Sequence, residues 1–183
     1  MKRQLLLFYL LVPLLAAAQD STATCFINYL NEYNADSLSL LLTDDFRMKR
    51  TFTEFENDKS SLLGTYLRAS KASNSKFIIQ KTIRSTEPVQ YLVEDRSDYL
   101  TYLNIKNPYW KITISSRNGK VSSALIDTIG NAGLYFQEIR RKMELFTKWM
   151  SKEYPGEMDE KVYTVRGLLV MRLREFAGLE DSH

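Results

Sequence analysis

Histidine and cysteine are nearly absent: the 183 residues hold one of each, His183 at the end and Cys25 early on. A terminal histidine is expected to be untethered. That leaves no histidine general base, no His-based triad and no histidine metal cluster. Zinc needs three or four nitrogen, sulfur or carboxylate ligands, and this composition argues against such a site. One cysteine closes no internal disulfide, so the domain must rely on its own core. Cys25 reads as a small apolar residue of a first helix. No Asn-x-Ser/Thr acceptor occurs, which favours a bacterial over a glycosylating export route. No Lys/Arg cluster forms a nucleic-acid footprint. There is no internal repeat, heptad run or low-complexity linker, and after Leu15 no apolar run approaches the ~20 residues of a membrane span.

What is present begins with a targeting pattern. Lys2 and Arg3 are followed by the apolar stretch Leu5 to Leu15, broken only by Pro13, and by Ala16-Ala17-Ala18. These are the three parts of a signal peptide. The expectation is cleavage after residue 18, a chain beginning near Gln19, and export to the periplasm or the external medium. Without Lys2 and Arg3 the charge falls from 25 basic against 22 acidic residues to near balance.

The remaining length suits one domain. Phe26, Ile27, Leu30 and Tyr33 recur at helical spacing, and Leu38, Leu41 and Leu42 form a short second helix that Thr43-Asp44-Asp45 stops. Phe46 to Thr53 alternates as a strand, with Phe46, Met48 and Arg50 on one side. Asp58 opens a third helix with Leu62, Leu63, Tyr66 and Leu67 as its stripe. Strands are expected over Phe77 to Arg84, Val89 to Glu94 and Asp98 to Ile105, with Glu94 to Asp98 as a charged loop. Trp110 to Ser115 alternates strictly, so one face is buried and the other wet. Asn118-Gly119 is the dipeptide of a tight hairpin, and Val121 to Thr128 is the returning strand. A long helix covers Leu134 to Glu153, Pro155-Gly156 breaks the chain, and a second tail helix runs from Met158 to Phe176.

Two stretches carry a family likeness. Tyr29 to Phe46, YLNEYNADSLSLLLTDDF, and Trp110 to Gly130, WKITISSRNGKVSSALIDTIG, resemble the opening and the closing hairpin of the nuclear-transport-factor-2-like superfamily, in its SnoaL-like branch. The likeness covers about residues 23 to 130. It implies an α+β fold of the cystatin-like roll type. A cone-shaped, curved antiparallel sheet packs on N-terminal helices, here with a two-helix C-terminal extension over 131–183. Some relatives are isomerases, dehydratases, cyclases or epoxide hydrolases, and others only bind ligands or partners, so fold alone does not choose.

With histidine excluded, carboxylates and tyrosines are the candidate chemistry. Asp127 ends the last strand, and in an apolar cone it would be a general base of raised pKa. Tyr102 or Tyr66 would donate to a developing oxyanion. Tyr66, Tyr91, Tyr99 and Trp110 are the candidate ligand-binding aromatics, and the same rings equally suit packing against the tail. No cofactor and no metal are expected. The leading expectation is a non-enzymatic domain that binds a small apolar ligand or a protein partner. The alternatives are an isomerase, dehydratase or cyclase working through Asp127 and a tyrosine, and a structural homodimer joined through the sheet face or the tail helices.

Overall fold

The computed structural model describes residues 22–157 and 167–180. The expected signal peptide, His183 and the first part of the second tail helix lie outside them. Helix α1 spans residues 22–31 and buries Phe26, Ile27 and Leu30. Asn31 at its end clamps it to the sheet. Its side-chain amide donates to the Phe77 carbonyl at 2.8 Å and its oxygen accepts from the Phe77 N–H at 2.8 Å, so one side chain replaces a strand partner. Asn34 then caps α2 (Ala35–Leu41), accepting from the Ser37 N–H.

Strand β1 (Leu42–Arg50) starts directly after α2. Thr43, Asp44 and Asp45 therefore lie inside the strand and are no helix stop, and the strand ends at Arg50, short of the expected Thr53. Strand β2 (Glu56–Asp58) folds back on it. Asp58 caps α3 (Lys59–Ser61) through the Ser61 N–H. A π-helical turn, Leu62–Tyr66, joins α3 to α4 (Leu67–Ala72). Strands β3 (Lys76–Arg84) and β4 (Val89–Arg96) follow.

The expected strand over Asp98 to Ile105 is instead helix α5 (Asp98–Tyr102). Ser97 decides this by capping, its hydroxyl accepting from the Leu100 N–H at 3.2 Å. That local bond outweighs the strand propensity of Tyr99 and Tyr102. β5 (Tyr109–Arg117) and β6 (Lys120–Thr128) form the expected hairpin. Asn118 and Gly119 both take positive φ, 54° and 73°, which its tight turn requires.

The six strands order as β2-β1-β6-β5-β4-β3. Every ladder is antiparallel except β1 with β6, which is parallel. The sheet is curved and unclosed. Register shifts in β1–β6, β3–β4 and β5–β6 supply the bulges by which a sheet bends. The concave face is one continuous apolar series: Phe46 and Met48, then Ala124 and Ile126, then Trp110, Ile112 and Ile114, then Val89, Tyr91 and Val93. All pack with the helices in a single core.

The tail docks on its own domain. Helix α6 (Gly133–Glu153) and helix α7 (Leu168–Glu180) join α5 in a second core of Leu100, Leu103, Ile105, Phe146, Met150, Leu173 and Phe176. Gly167 takes φ +78° and precedes α7, so this helix starts at Leu168 among the described residues. Among the described residues, Phe146 and Met150 of α6 and Leu173 and Phe176 of α7 are thus buried within the chain.

Candidate functional site

Two polar residues interrupt the apolar concave face. Arg50 continues the series Phe46, Met48, and Asp95 continues Val89, Tyr91, Val93, each two residues past the last apolar member. Strand pleating places both on the inner side. They reach the end of the cone where α4, α5, α6 and the start of α7 leave a cleft of about 970 Å³. That size suits a small organic molecule. Thr65, Arg68 and Ala69 line one wall, Tyr99 and Leu100 of α5 another, and Tyr135 and Ile139 of α6 a third. Leu169 and Val170 come from α7.

Asp95 is the focus. Its carboxyl is largely enclosed by protein and opens on the cleft. The Trp110 indole Nε1 donates to its Oδ2 at 3.0 Å, and its backbone N–H is held by the Pro108 carbonyl at 2.9 Å. Burial pushes this carboxyl above the usual range, against the opposing effects of the Trp110 bond and the Arg50 charge. The indole is itself immobilised. Phe52 stacks on it at 4.8 Å between centroids and Tyr135 meets it edge-on at 5.5 Å. Burial also raises the Tyr66 phenol, opposed by the charge of Arg50 and by hydrogen bonds with Arg50 and Ser70. The Tyr135 phenol is raised by burial first and by Asp95 second. A carboxyl, two phenols and a guanidinium thus sit together in a largely apolar recess. Such a set can anchor a polar head group or move a proton.

The residues singled out from sequence separate clearly. Asp127 is one step out of phase with inward-facing Ile126 and lies on the opposite face of the sheet, away from the cleft. It accepts from Thr51 at 2.7 Å and pairs with Lys111 at 3.1 Å. These partners hold its carboxyl below the usual range, Thr51 first. A base of raised pKa at this position is therefore corrected: strand parity put the side chain beside Lys111 and Thr51 on the outer face. Tyr102 packs against the second core and does not line the cleft. Tyr91 is a core residue whose hydroxyl shares a 2.9 Å hydrogen bond with Thr24. Tyr66 stands behind Arg50, Trp110 behind Asp95, and Tyr99 lines the cleft itself. Asp95 was missed because β4 was expected to end at Glu94, and Arg50 because it was placed on the Phe46 and Met48 face without a role. Both carried a signal, a charged residue in phase with a buried alternating series. Among the described residues no cluster of three or more histidine, cysteine or acidic side chains is arranged to hold a metal, and no helix is long and apolar enough to cross a membrane.

No protein-family model and no curated protein matches the chain by sequence. Solved structures do match by shape. An LEH-like epoxide hydrolase from M. tuberculosis aligns with TM-score 0.51 and 14% identity, covering 69% of this chain and 88% of that one. A putative ketosteroid isomerase from Kribbella flavida DSM 17836 aligns with TM-score 0.50 and 13% identity, covering 63% and 80%. An NTF2-like protein of unknown function from Cytophaga hutchinsonii aligns with TM-score 0.48 and 14% identity, covering 64% and 94%. The chain has the nuclear-transport-factor-2-like fold.

Proposed function

We propose that this is an exported domain that binds a small molecule in the cleft between sheet and tail. The Asp95 carboxyl supplies the polar anchor and Tyr99, Leu100, Ile139, Leu169 and Val170 the apolar walls. The observation that carries the reading is the hydrogen bond from Trp110 to Asp95 at the inner end of that cleft. A buried carboxyl opposes folding unless something is gained from it, and here it opens on a recess of ligand size. Export rests on Lys2, Arg3, the Leu5–Leu15 stretch and Ala16–Ala18.

Native mass spectrometry of the protein purified from its host tests both parts. The expected species begins near Gln19 and retains a small-molecule mass. Val170→Trp, which fills the cleft, should lose that mass and keep the fold. A bare wild-type mass equal to that of the variant removes the ligand reading, and an N-terminus at Met1 removes export.

A second reading is acid–base catalysis at the same place, with Asp95 in the role first sought at Asp127. It is favoured by the raised pKa of Asp95 and by Tyr135 and Tyr99 sharing the cleft. Incubating the retained ligand with the protein in deuterium oxide reads proton transfer directly. Deuterium uptake with wild type and none with Asp95→Asn carries this reading. No uptake with either sinks it and leaves the binding domain.

A further inference from the structure

The charge of the cleft narrows its ligand. Two guanidinium groups, Arg50 and Arg68, line it against one carboxyl, Asp95. The lining is therefore net positive whether or not Asp95 is ionised. Among the described residues outside the cleft, five arginines are in ion pairs and Arg84, Arg140 and Arg174 are in none. Arg47 pairs with Glu56, Arg96 with Glu94, Arg117 with Asp45, Arg141 with Glu138, and Arg172 with Glu157. Among the described residues neither cleft arginine is in an ion pair. Arg68 donates from Nε to the Gly64 carbonyl of the preceding π-helical turn, and Arg50 bonds the Tyr66 hydroxyl and lies 5.8 Å from the Phe52 ring. The Gly64 bond holds the Arg68 side chain back along the π-helical turn, and among the described residues its terminal nitrogens have no acceptor.

From this we infer, building on the small-molecule reading above, that the ligand is an amphipathic organic anion, a monocarboxylate with an apolar body. The carboxylate meets the forked guanidinium donors, which suit planar two-oxygen acceptors. The body lies along Tyr99, Ile139, Leu169 and Val170. A cationic ligand would face net repulsion, and a neutral one would gain nothing from the charge of the guanidinium donors.

The experiment is a calorimetric titration of the full protein with three probes that share a twelve-carbon chain: dodecanoate, dodecanol and dodecyltrimethylammonium. Dodecanoate is expected to bind about tenfold or more tightly than either of the others, the worth of hydrogen bonds to a charged group. Arg68→Gln sits on the exposed side of a short helix and should not disturb folding. It should weaken dodecanoate by about tenfold and leave dodecanol unchanged. Arg50→Gln should do the same, with circular dichroism confirming its fold because Arg50 also holds Tyr66. Equal binding of all three probes, or a preference for the cation, overturns the inference and leaves the binding cleft standing. Binding of dodecanoate that Arg68→Gln and Arg50→Gln leave untouched also overturns it. Failure of all three probes overturns the anionic assignment as well. The cleft reading falls separately, on the host-purified mass measurement.

Discussion

The indole Nε1 of Trp110 donates to Oδ2 of Asp95 across 3.0 Å, tying the first inward residue of β5 to the last inward residue of β4. The bond stabilises the ionised carboxyl while burial opposes it, and burial is the larger effect.

A pH dependence follows from that balance. A carboxyl whose folded pKa lies above its unfolded value binds its proton more tightly in the folded state, so its contribution to stability falls as pH rises above the ordinary carboxylate range. Asp95→Asn removes the titration and keeps an acceptor for Trp110. At pH 7 the variant should melt roughly 2–4 °C higher, the shift that about 1 kcal/mol gives in a chain of this size. The gain should vanish near pH 3, where Asp95 is protonated in both states. Calorimetry at the two pH values checks this, and a variant less stable than wild type at pH 7 contradicts it.

Trp110→Phe keeps most of the ring and deletes the donor. The loss should be about 1–3 kcal/mol, the cost of leaving a buried polar group unmatched, and larger at pH 7 than at pH 4 because the ionised carboxyl needs the donor more. Urea unfolding at both pH values measures it.

Asp127 should behave in the opposite sense and without effect on the cleft. Its folded pKa is lowered by Thr51 and Lys111, so its stabilisation is present above the unfolded pKa and lost as pH falls through the folded one. The group is largely solvated, and screening limits the effect of Asp127→Asn to under about 1 kcal/mol. Ligand mass retention in this variant should equal that of wild type.

Phe146 joins α6 to the rest of the second core, 1% exposed and edge-on to Phe176 at 5.7 Å between centroids. Phe146→Ala should cost roughly 3–5 kcal/mol. It should also raise the affinity constant's sensitivity to temperature, since the cleft wall at Tyr135 and Ile139 belongs to the same helix. Chemical denaturation and titration on one preparation test both.

Arg172 is the clamp of α7. Its guanidinium bonds Glu157 at 2.7 Å and Glu175 at 2.9 Å and lies 3.7 Å from the Tyr154 ring centroid. Arg172→Gln should lower hydrogen-exchange protection across 168–178 by about tenfold while leaving β5 and β6 unchanged. Uniform loss in both regions would show that α7 does not open by itself.

Much of the fold was legible because period and turn chemistry are local. The strict alternation after Trp110 and the positive-φ demand met by Asn118-Gly119 defined the β5–β6 hairpin before any contact was known. The helix start at Asp58 followed from its capping residue, whereas α2 is capped by Asn34 rather than by Asp36 two residues on. Asp98 to Ile105 misled because its aromatic residues favour a strand, while a single Ser97 hydroxyl decided for helix. Asp127 misled for a related reason: a strand's end was identified, but which face its last acidic residue takes depends on the register with Lys111 and Ile126.

By itself the sequence determined the architecture. The apolar periods and the hairpin turn specify an α+β sheet-and-helix domain, because periodicity and turn chemistry act within a few residues. Only the tertiary structure decided the site. Arg50, Arg68, Asp95 and Tyr135 lie far apart in the chain, and it is the bending of the sheet and the return of α6 and α7 that bring them around one cleft. No spacing in the sequence encodes that meeting, since it depends on the packing of elements whose contacts are all long-range.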